Sequence, residues 1–83
     1  MIKVMYFARL REQMGRDQVP VAWHSAMQTL DDVRRHLIAE DPAHAEMLQA
    51  SDLLVARNQE MAAWHDPVED GDEVALFPPV TGG

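Results

Sequence analysis

The chain has 83 residues, 47% of them hydrophobic, which predicts one small domain near the lower limit for a stable core. Fourteen acidic and seven basic side chains give a net charge of −7, which disfavours nucleic acid and makes a basic protein partner easier to accommodate. The absence of cysteine excludes thiol nucleophiles, disulfides and thiolate metal sites. Neither a long uncharged apolar stretch nor a signal-peptide pattern occurs, so we expect a cytoplasmic protein that binds no membrane.

The first predicted element is a strand at residues 2–8. Its apolar side chains divide between the two faces, with Ile2, Val4 and Tyr6 on one and Met5 and Phe7 on the other. Apolar residues on both faces indicate a strand inside a sheet. The alternation then stops, and Gly15 favours a turn. A second strand is predicted at residues 18–23, where Pro20 favours an edge or a bulge because proline cannot donate to a ladder.

The clearest helix is predicted from Leu30 to Glu40, where apolar residues recur at helical spacing. These residues form one stripe that should be buried: Leu30, Val33, Leu37 and Ile38. Thr29 is a suitable N-cap, and Asp32 can complete a weaker form of the capping box. The Asp41-Pro42 pair ends this helix and can begin a second, short one.

Three more strands are predicted in the second half of the chain, at residues 53–57, 61–64 and 73–77. Asn58-Gln59 and Asp70-Gly71 supply turn residues between them. The acidic run from Glu69 to Glu73 is interpreted as a solvated turn. This order of elements predicts an α+β roll, in which a mixed sheet packs on one main helix.

The last strand should lie parallel to the first within the sheet, with Val74 and Leu76 facing the helix. The opposite face would then expose four large apolar side chains: Met5, Phe7, Met61 and Phe77. Such a patch is a candidate interface, and a cluster covered by loops is an equally good interpretation of the same pattern.

Chemical motifs are sparse. The four histidines, His24, His36, His44 and His65, lack the spacing of a metal site, so we expect no bound metal. No glycine-rich phosphate loop occurs, and the serines have no base partner that would indicate a nucleophilic triad. We therefore expect no cofactor bound to the chain itself.

The chain ends in an apolar and then side-chain-free segment, Phe77-Pro78-Pro79-Val80-Thr81-Gly82-Gly83. The two prolines favour extended backbone, and the final six residues can reach at most about 20 Å. Glycine has no Cβ, so the terminal diglycine can enter a channel too narrow for side chains. We therefore predict one domain at residues 1–77 and an extended, flexible tail at residues 78–83, with an inert, frayed end as the alternative.

Three segments together resemble the small subunit of molybdopterin synthase, the sulfur carrier of molybdenum-cofactor biosynthesis. They are the opening Lys3-Val4-Met5-Tyr6-Phe7-Ala8 with Arg11-Glu12, the run Asp70-Gly71-Asp72-Glu73-Val74, and the Pro-Pro-Val-Thr-Gly-Gly tail. The similarity covers essentially the whole chain, and its C-terminal part is the most specific. It implies the β-grasp, ubiquitin-like fold, which agrees with the roll predicted from the residues.

The resemblance implies that the carboxylate of Gly83 is the reacting group. A carboxylate is ionised and unreactive at neutral pH, so an adenylyltransferase of the ubiquitin-activating type would adenylate it with ATP. A sulfur donor would then convert the acyl-adenylate to a thiocarboxylate. The loaded tail, with Pro78, Pro79, Val80, Thr81 and Gly82, would enter the large subunit and donate sulfur to cyclic pyranopterin monophosphate.

The resemblance further implies that the catalytic groups lie in the large subunit, so this chain is not an enzyme on its own. A large-subunit dimer with a small subunit at each end would form a heterotetramer. Phe7, Met61 and Phe77 would contact the large subunit and the activating enzyme. Three alternatives stay open: a sulfur carrier of the thiamine pathway, a ubiquitin-like modifier joined to lysines, and an interaction domain with an inert tail.

Overall fold

Residues 1–79 are described by the computed structural model, and among them are five strands, three α-helices and a short 3₁₀ turn at Pro42–His44. The elements in chain order are β1 (Ile2–Tyr6), α1 (Ala8–Met14), β2 (Gln18–Val21), α2 (Leu30–Glu40), α3 (Ala45–Leu48), β3 (Leu54–Arg57), β4 (Glu60–Ala62) and β5 (Glu73–Phe77). None of the helices in this part of the chain is long and apolar enough to cross a membrane.

The strands form one mixed sheet in the order β2-β1-β5-β3-β4. Strands β1 and β5 lie side by side and parallel, so that Val4 pairs with Val74 and Tyr6 with Leu76. The other neighbouring strands are antiparallel. Pro20 lies on the edge strand β2, where a missing N–H is tolerated. The predicted placement of the first, second and last strands is confirmed.

One face of the sheet forms the core together with α2. The core side chains of the two parallel strands and of this helix are almost completely buried: Ile2, Val4, Val74, Leu76, Leu30, Val33 and Leu37. Burying an aliphatic side chain of this size contributes about 1.5–3 kcal/mol. Strand alternation and the helical stripe predicted these residues, and only Ile38 of the predicted stripe is half-buried. The roll of a mixed sheet on one main helix is therefore confirmed.

The start of α2 is fixed by a reciprocal capping box. The Asp32 N–H donates to Thr29 Oγ1 at 3.2 Å, and Asp32 Oδ2 accepts from the Thr29 N–H at 3.0 Å. The Gln28 N–H donates to the same carboxylate oxygen at 2.9 Å. These backbone hydrogen bonds, the one from Gln28 first, lower the pKa of Asp32. Aspartate thus completes the box that glutamate more often completes.

The structure departs from the sequence prediction after β1, where helix α1 forms in a segment for which only a turn at Gly15 was predicted. Leu10 and Met14 lie four residues apart and are buried on one side of the helix. Gly15 ends it as a left-handed C-cap with φ 74°. At the other end Ala8, with φ 56°, turns the chain out of β1. The first strand consequently ends at Tyr6 and does not reach residue 8.

Three other strands are shorter than predicted. β3 begins at Leu54, one residue later than expected. β2 ends at Val21, and the next aromatic residue, Trp23, packs partly buried against the core. β4 ends at Ala62, because the Asp66 carboxylate accepts a hydrogen bond from the Ala63 N–H at 2.9 Å and closes a turn.

Candidate functional site

The face of the sheet away from α2 carries an apolar groove of about 430 Å³, which we call the sheet-face groove. Its apolar lining comes mainly from Phe7, Ala56, Met61, Ala75, Phe77 and Pro78, and its polar lining from Gln59 and Glu73. Phe7 is 42% exposed and Met61 62%, and such exposure of large apolar side chains on one patch marks a candidate interface. The structure therefore brings together the three residues predicted to contact partners.

The strand register explains why these side chains meet. Ala75 of β5 pairs with Ala56 of β3, and Ala56 pairs with Met61 of β4. Phe77 lies two residues beyond Ala75 on the same side of its strand. The two alanines are small and form a floor between larger neighbours. Met5, which was expected on this exposed face, is half-buried and does not line the groove.

Phe7 reaches the groove from the end of β1. Its N–H donates to the Leu76 carbonyl at 3.1 Å, and its extended backbone makes it the N-cap residue of α1. The next residue, Ala8, also lines the groove and takes a left-handed conformation, which costs an L-residue about 1–2 kcal/mol. This turn ends the strand and leaves the Phe7 side chain at the rim of the groove.

The C-terminal tail begins beside the groove. Pro78 and Pro79 are half-buried, and both line a second groove of about 250 Å³ next to α1. Pro78 lines the sheet-face groove as well, so the tail starts between the two. The predictions made for Val80, Thr81, Gly82 and Gly83, including the reacting carboxylate, lie outside the described residues. The division of the chain into a domain that ends at residue 77 and a tail stays a prediction.

An ion pair at the other end of β5 holds the hairpin formed by β3 and β4. Asp72, only 7% exposed, accepts from Arg57 Nε at 2.6 Å, Asn58 Nδ2 at 3.1 Å and the Glu69 N–H at 2.8 Å. Burial opposes the charged form of Asp72, but these hydrogen bonds, that of Arg57 first, outweigh it and lower its pKa. The hydrogen bond to Asp72 likewise raises the pKa of Arg57. Asp72 is therefore an anchor, and the interpretation of this acidic run as a solvated turn is wrong for that residue.

Sequence reasoning missed part of the groove lining. Alternation in the last strand correctly predicted Ala75 on the face of Phe77, and Glu73 could have been assigned in the same way, because it shares that strand face. Ala8 and Gln59 could not have been assigned to the groove from the sequence, since their positions depend on left-handed backbone conformations. Within residues 1–79, no group of His, Asp or Glu side chains is arranged to hold a metal ion.

Comparison with known proteins identifies the family. A sequence profile described as the ThiS family matches residues 4–83. The chain belongs to the ThiS family. The molybdopterin synthase sulfur carrier subunit of Escherichia coli (strain K12) is 45% identical over 83 residues, covering 100% of both chains. A protein of the same name from Haemophilus influenzae (strain ATCC 51907 / DSM 11121 / KW20 / Rd) is 41% identical, again covering 100% of both.

Within the ThiS family, the chain therefore groups with the molybdopterin synthase sulfur carrier subunits. The resemblance drawn from the three sequence segments is confirmed. The thiamine-pathway alternative is not favoured, because these full-length relatives carry the other name.

Solved structures confirm the β-grasp, ubiquitin-like fold. The crystal structure of SAMP1 from Haloferax volcanii has a TM-score of 0.83 and 33% sequence identity, covering 99% of this chain and 98% of that chain. A chain in the complex of subunits 1 and 2 of molybdopterin-converting factor from Helicobacter pylori 26695 has a TM-score of 0.65 and 22% identity, covering 99% and 97%. At that identity the likeness concerns the fold alone.

Proposed function

We propose that this chain is the sulfur carrier subunit of a molybdopterin synthase and that it carries sulfur as a thiocarboxylate on Gly83. Its full-length similarity to subunits of that name supports the assignment. The observation that carries the mechanism is the position of Pro78, because the first residue of the predicted tail lines the sheet-face groove. A partner that covers the groove therefore receives the tail at the same place.

Sulfur is loaded in two steps at an adenylyltransferase of the ubiquitin-activating type. First, a carboxylate oxygen of Gly83 attacks the α-phosphorus of ATP, and pyrophosphate leaves. Second, a donor equivalent to hydrosulfide attacks the acyl carbon, and AMP leaves, so that a C–S bond replaces the C–O bond to phosphate. The activation is needed because a carboxylate with a pKa of about 3.5 is an anion at neutral pH and a poor electrophile.

The thiocarboxylate then acts as the sulfur nucleophile toward cyclic pyranopterin monophosphate in the large subunit. The large subunit supplies the catalytic groups, so the small subunit alone is not an enzyme and binds no cofactor of its own. ATP is consumed only at the activating enzyme. We place the assembly in the cytoplasm, as a large-subunit dimer with a small subunit at each end.

Both partners use the sheet-face groove in this proposal. Phe7, Met61 and Phe77 supply its large apolar side chains, and burying them against a partner provides the affinity. Because one face serves two partners, the chain leaves the activating enzyme before it binds the large subunit. Competition between the two enzymes for the loaded chain is a consequence of this shared surface.

A ubiquitin-like modifier is the second candidate function. The similarity to SAMP1 favours it, since that Haloferax volcanii protein is a small archaeal modifier protein by name. In a modifier, the amine of a target lysine would attack the same activated carbon of Gly83, giving an amide and no thiocarboxylate. The two functions differ in the nucleophile that completes the reaction.

Reconstitution distinguishes them. The chain is loaded with its activating enzyme, ATP and a sulfide source, freed of these reagents, and incubated with the large subunit and cyclic pyranopterin monophosphate. The sulfur-carrier function predicts a dithiolene product in proportion to the loaded chain, and none with a control chain that lacks Gly83. Failure of a fully loaded chain to give product, together with Gly83-linked conjugates in cells, would support the modifier.

A further inference from the structure

The turn between β3 and β4 is built in a way that its sequence does not favour. Arg57 pairs with Glu60, so the loop has only two residues, and both have positive φ, 50° at Asn58 and 72° at Gln59. This is the type I′ arrangement, whose second position is best filled by glycine. A glutamine there carries a Cβ in a conformation that L-residues avoid.

Asn58 has a visible structural reason to be in this turn. Its Oδ1 accepts from the Glu73 N–H at 2.9 Å, and its Nδ2 donates to Asp72 Oδ1 at 3.1 Å. Its own N–H donates to the Glu73 carbonyl at 2.8 Å. Asparagine also tolerates the left-handed conformation better than most residues. The first position of the turn is therefore accounted for by the fold.

Gln59 has no comparable structural reason within residues 1–79. It is exposed, and its side chain makes no hydrogen bond to any other residue in this part of the chain. It nevertheless lines the sheet-face groove together with Met61, Phe7 and Phe77, in an otherwise largely apolar surface. Strained residues that the fold does not explain concentrate at functional surfaces.

We propose that Gln59 is a specificity-determining contact of the sheet-face groove, where its side-chain amide hydrogen-bonds a polar group of the large subunit. This inference rests on the proposed function. Apolar contacts provide affinity without direction, whereas an amide both donates and accepts. A partner that buries Gln59 without offering a hydrogen-bonding group leaves the amide unpaired. The free-energy cost of that unpaired amide weakens the binding of wrong partners.

The proposal predicts opposite effects on stability and on binding. Gln59→Gly relieves the left-handed strain and removes the amide, so the melting temperature should rise by about 3–6 °C while the large subunit binds roughly tenfold more weakly. Gln59→Ala keeps the strain and removes the amide, so binding should weaken to the same extent without a rise in melting temperature. Gln59→Asn keeps an amide and should bind more tightly than Gln59→Ala.

The experiment measures thermal unfolding and the dissociation constant for the purified cognate large subunit on all three variants. Gln49→Ala is the matched control, because Gln49 is exposed and lines neither groove, and it should leave both values unchanged. The assignment is overturned if Gln59→Gly and Gln59→Ala both bind with wild-type affinity. It is also overturned if only Gln59→Gly binds weakly, because that result would attribute the loss to turn rigidity and not to the amide. A wild-type chain that fails to bind the large subunit refutes the proposed function as well.

Discussion

Substitution of Met61 distinguishes an interface residue from a core residue most clearly, because Met61 lies on the sheet but is 62% exposed. A fully buried methionine side chain contributes about 1.5–3 kcal/mol, so the roughly one third that is covered stabilises the fold by only about 0.5–1 kcal/mol. The exposed remainder offers about 1–2 kcal/mol to a partner that buries it. Met61→Ala should therefore cost little stability and weaken binding by about five- to thirtyfold.

Two measurements on the same samples check this prediction: denaturant unfolding, and calorimetric titration with the large subunit. Leu76→Ala is the matched control, because Leu76 lies on the opposite face of the sheet and is 1% exposed. That variant should lose about 2–5 kcal/mol of stability. The assignment of the groove as interface is refuted if Met61→Ala binds like wild type, or if it loses as much stability as the control.

The other predictions concern the tail and the ion pair. Gly82→Val should leave the melting temperature unchanged but abolish sulfur transfer in the reconstituted system, because a β-branched side chain blocks a narrow channel; normal transfer would contradict the channel argument. Asp72 has a lowered pKa, so its contribution to stability is present above the unfolded-state pKa of about 3.9 and is lost as pH falls below that value. Asp72→Asn should lower the free energy of unfolding by about 1–3 kcal/mol at neutral pH, because Arg57 loses its ionised partner. The same substitution should make the loss of stability below about pH 4 less steep. An unchanged acid profile in urea unfolding series would show that Asp72 does not carry this dependence.

Much of the fold follows from periodicity in the sequence. The alternation in β1 and β5 and the apolar stripe of α2 correctly predicted which faces are buried, because burial dominates the choice of face. Pro20 correctly marked an edge strand, because only an edge tolerates a missing donor. These predictions depend on side-chain patterns that repeat over several residues.

The parts that could not be predicted depend on single backbone conformations or on contacts distant in sequence. Helix α1 is only seven residues long and starts at an alanine with positive φ, a position for which alanine gives no signal. The hydrogen bond between Arg57 and Asp72 joins residues 15 apart in the chain. The sheet-face groove combines both kinds of residue: Phe7 and Phe77 were predicted from the sequence, whereas the position of Gln59 in the groove is apparent only in the structure.

The central claim is that Gly83 carries sulfur, and the intact mass of the protein tests it most directly. The protein is purified from cells that also contain its activating enzyme and sulfur donor, and the mass change is mapped by fragmentation. We expect a gain equal to the replacement of one oxygen by sulfur, located at Gly83. An unmodified C-terminus, with the activating enzyme and donor shown to be active in the same cells, would contradict the account.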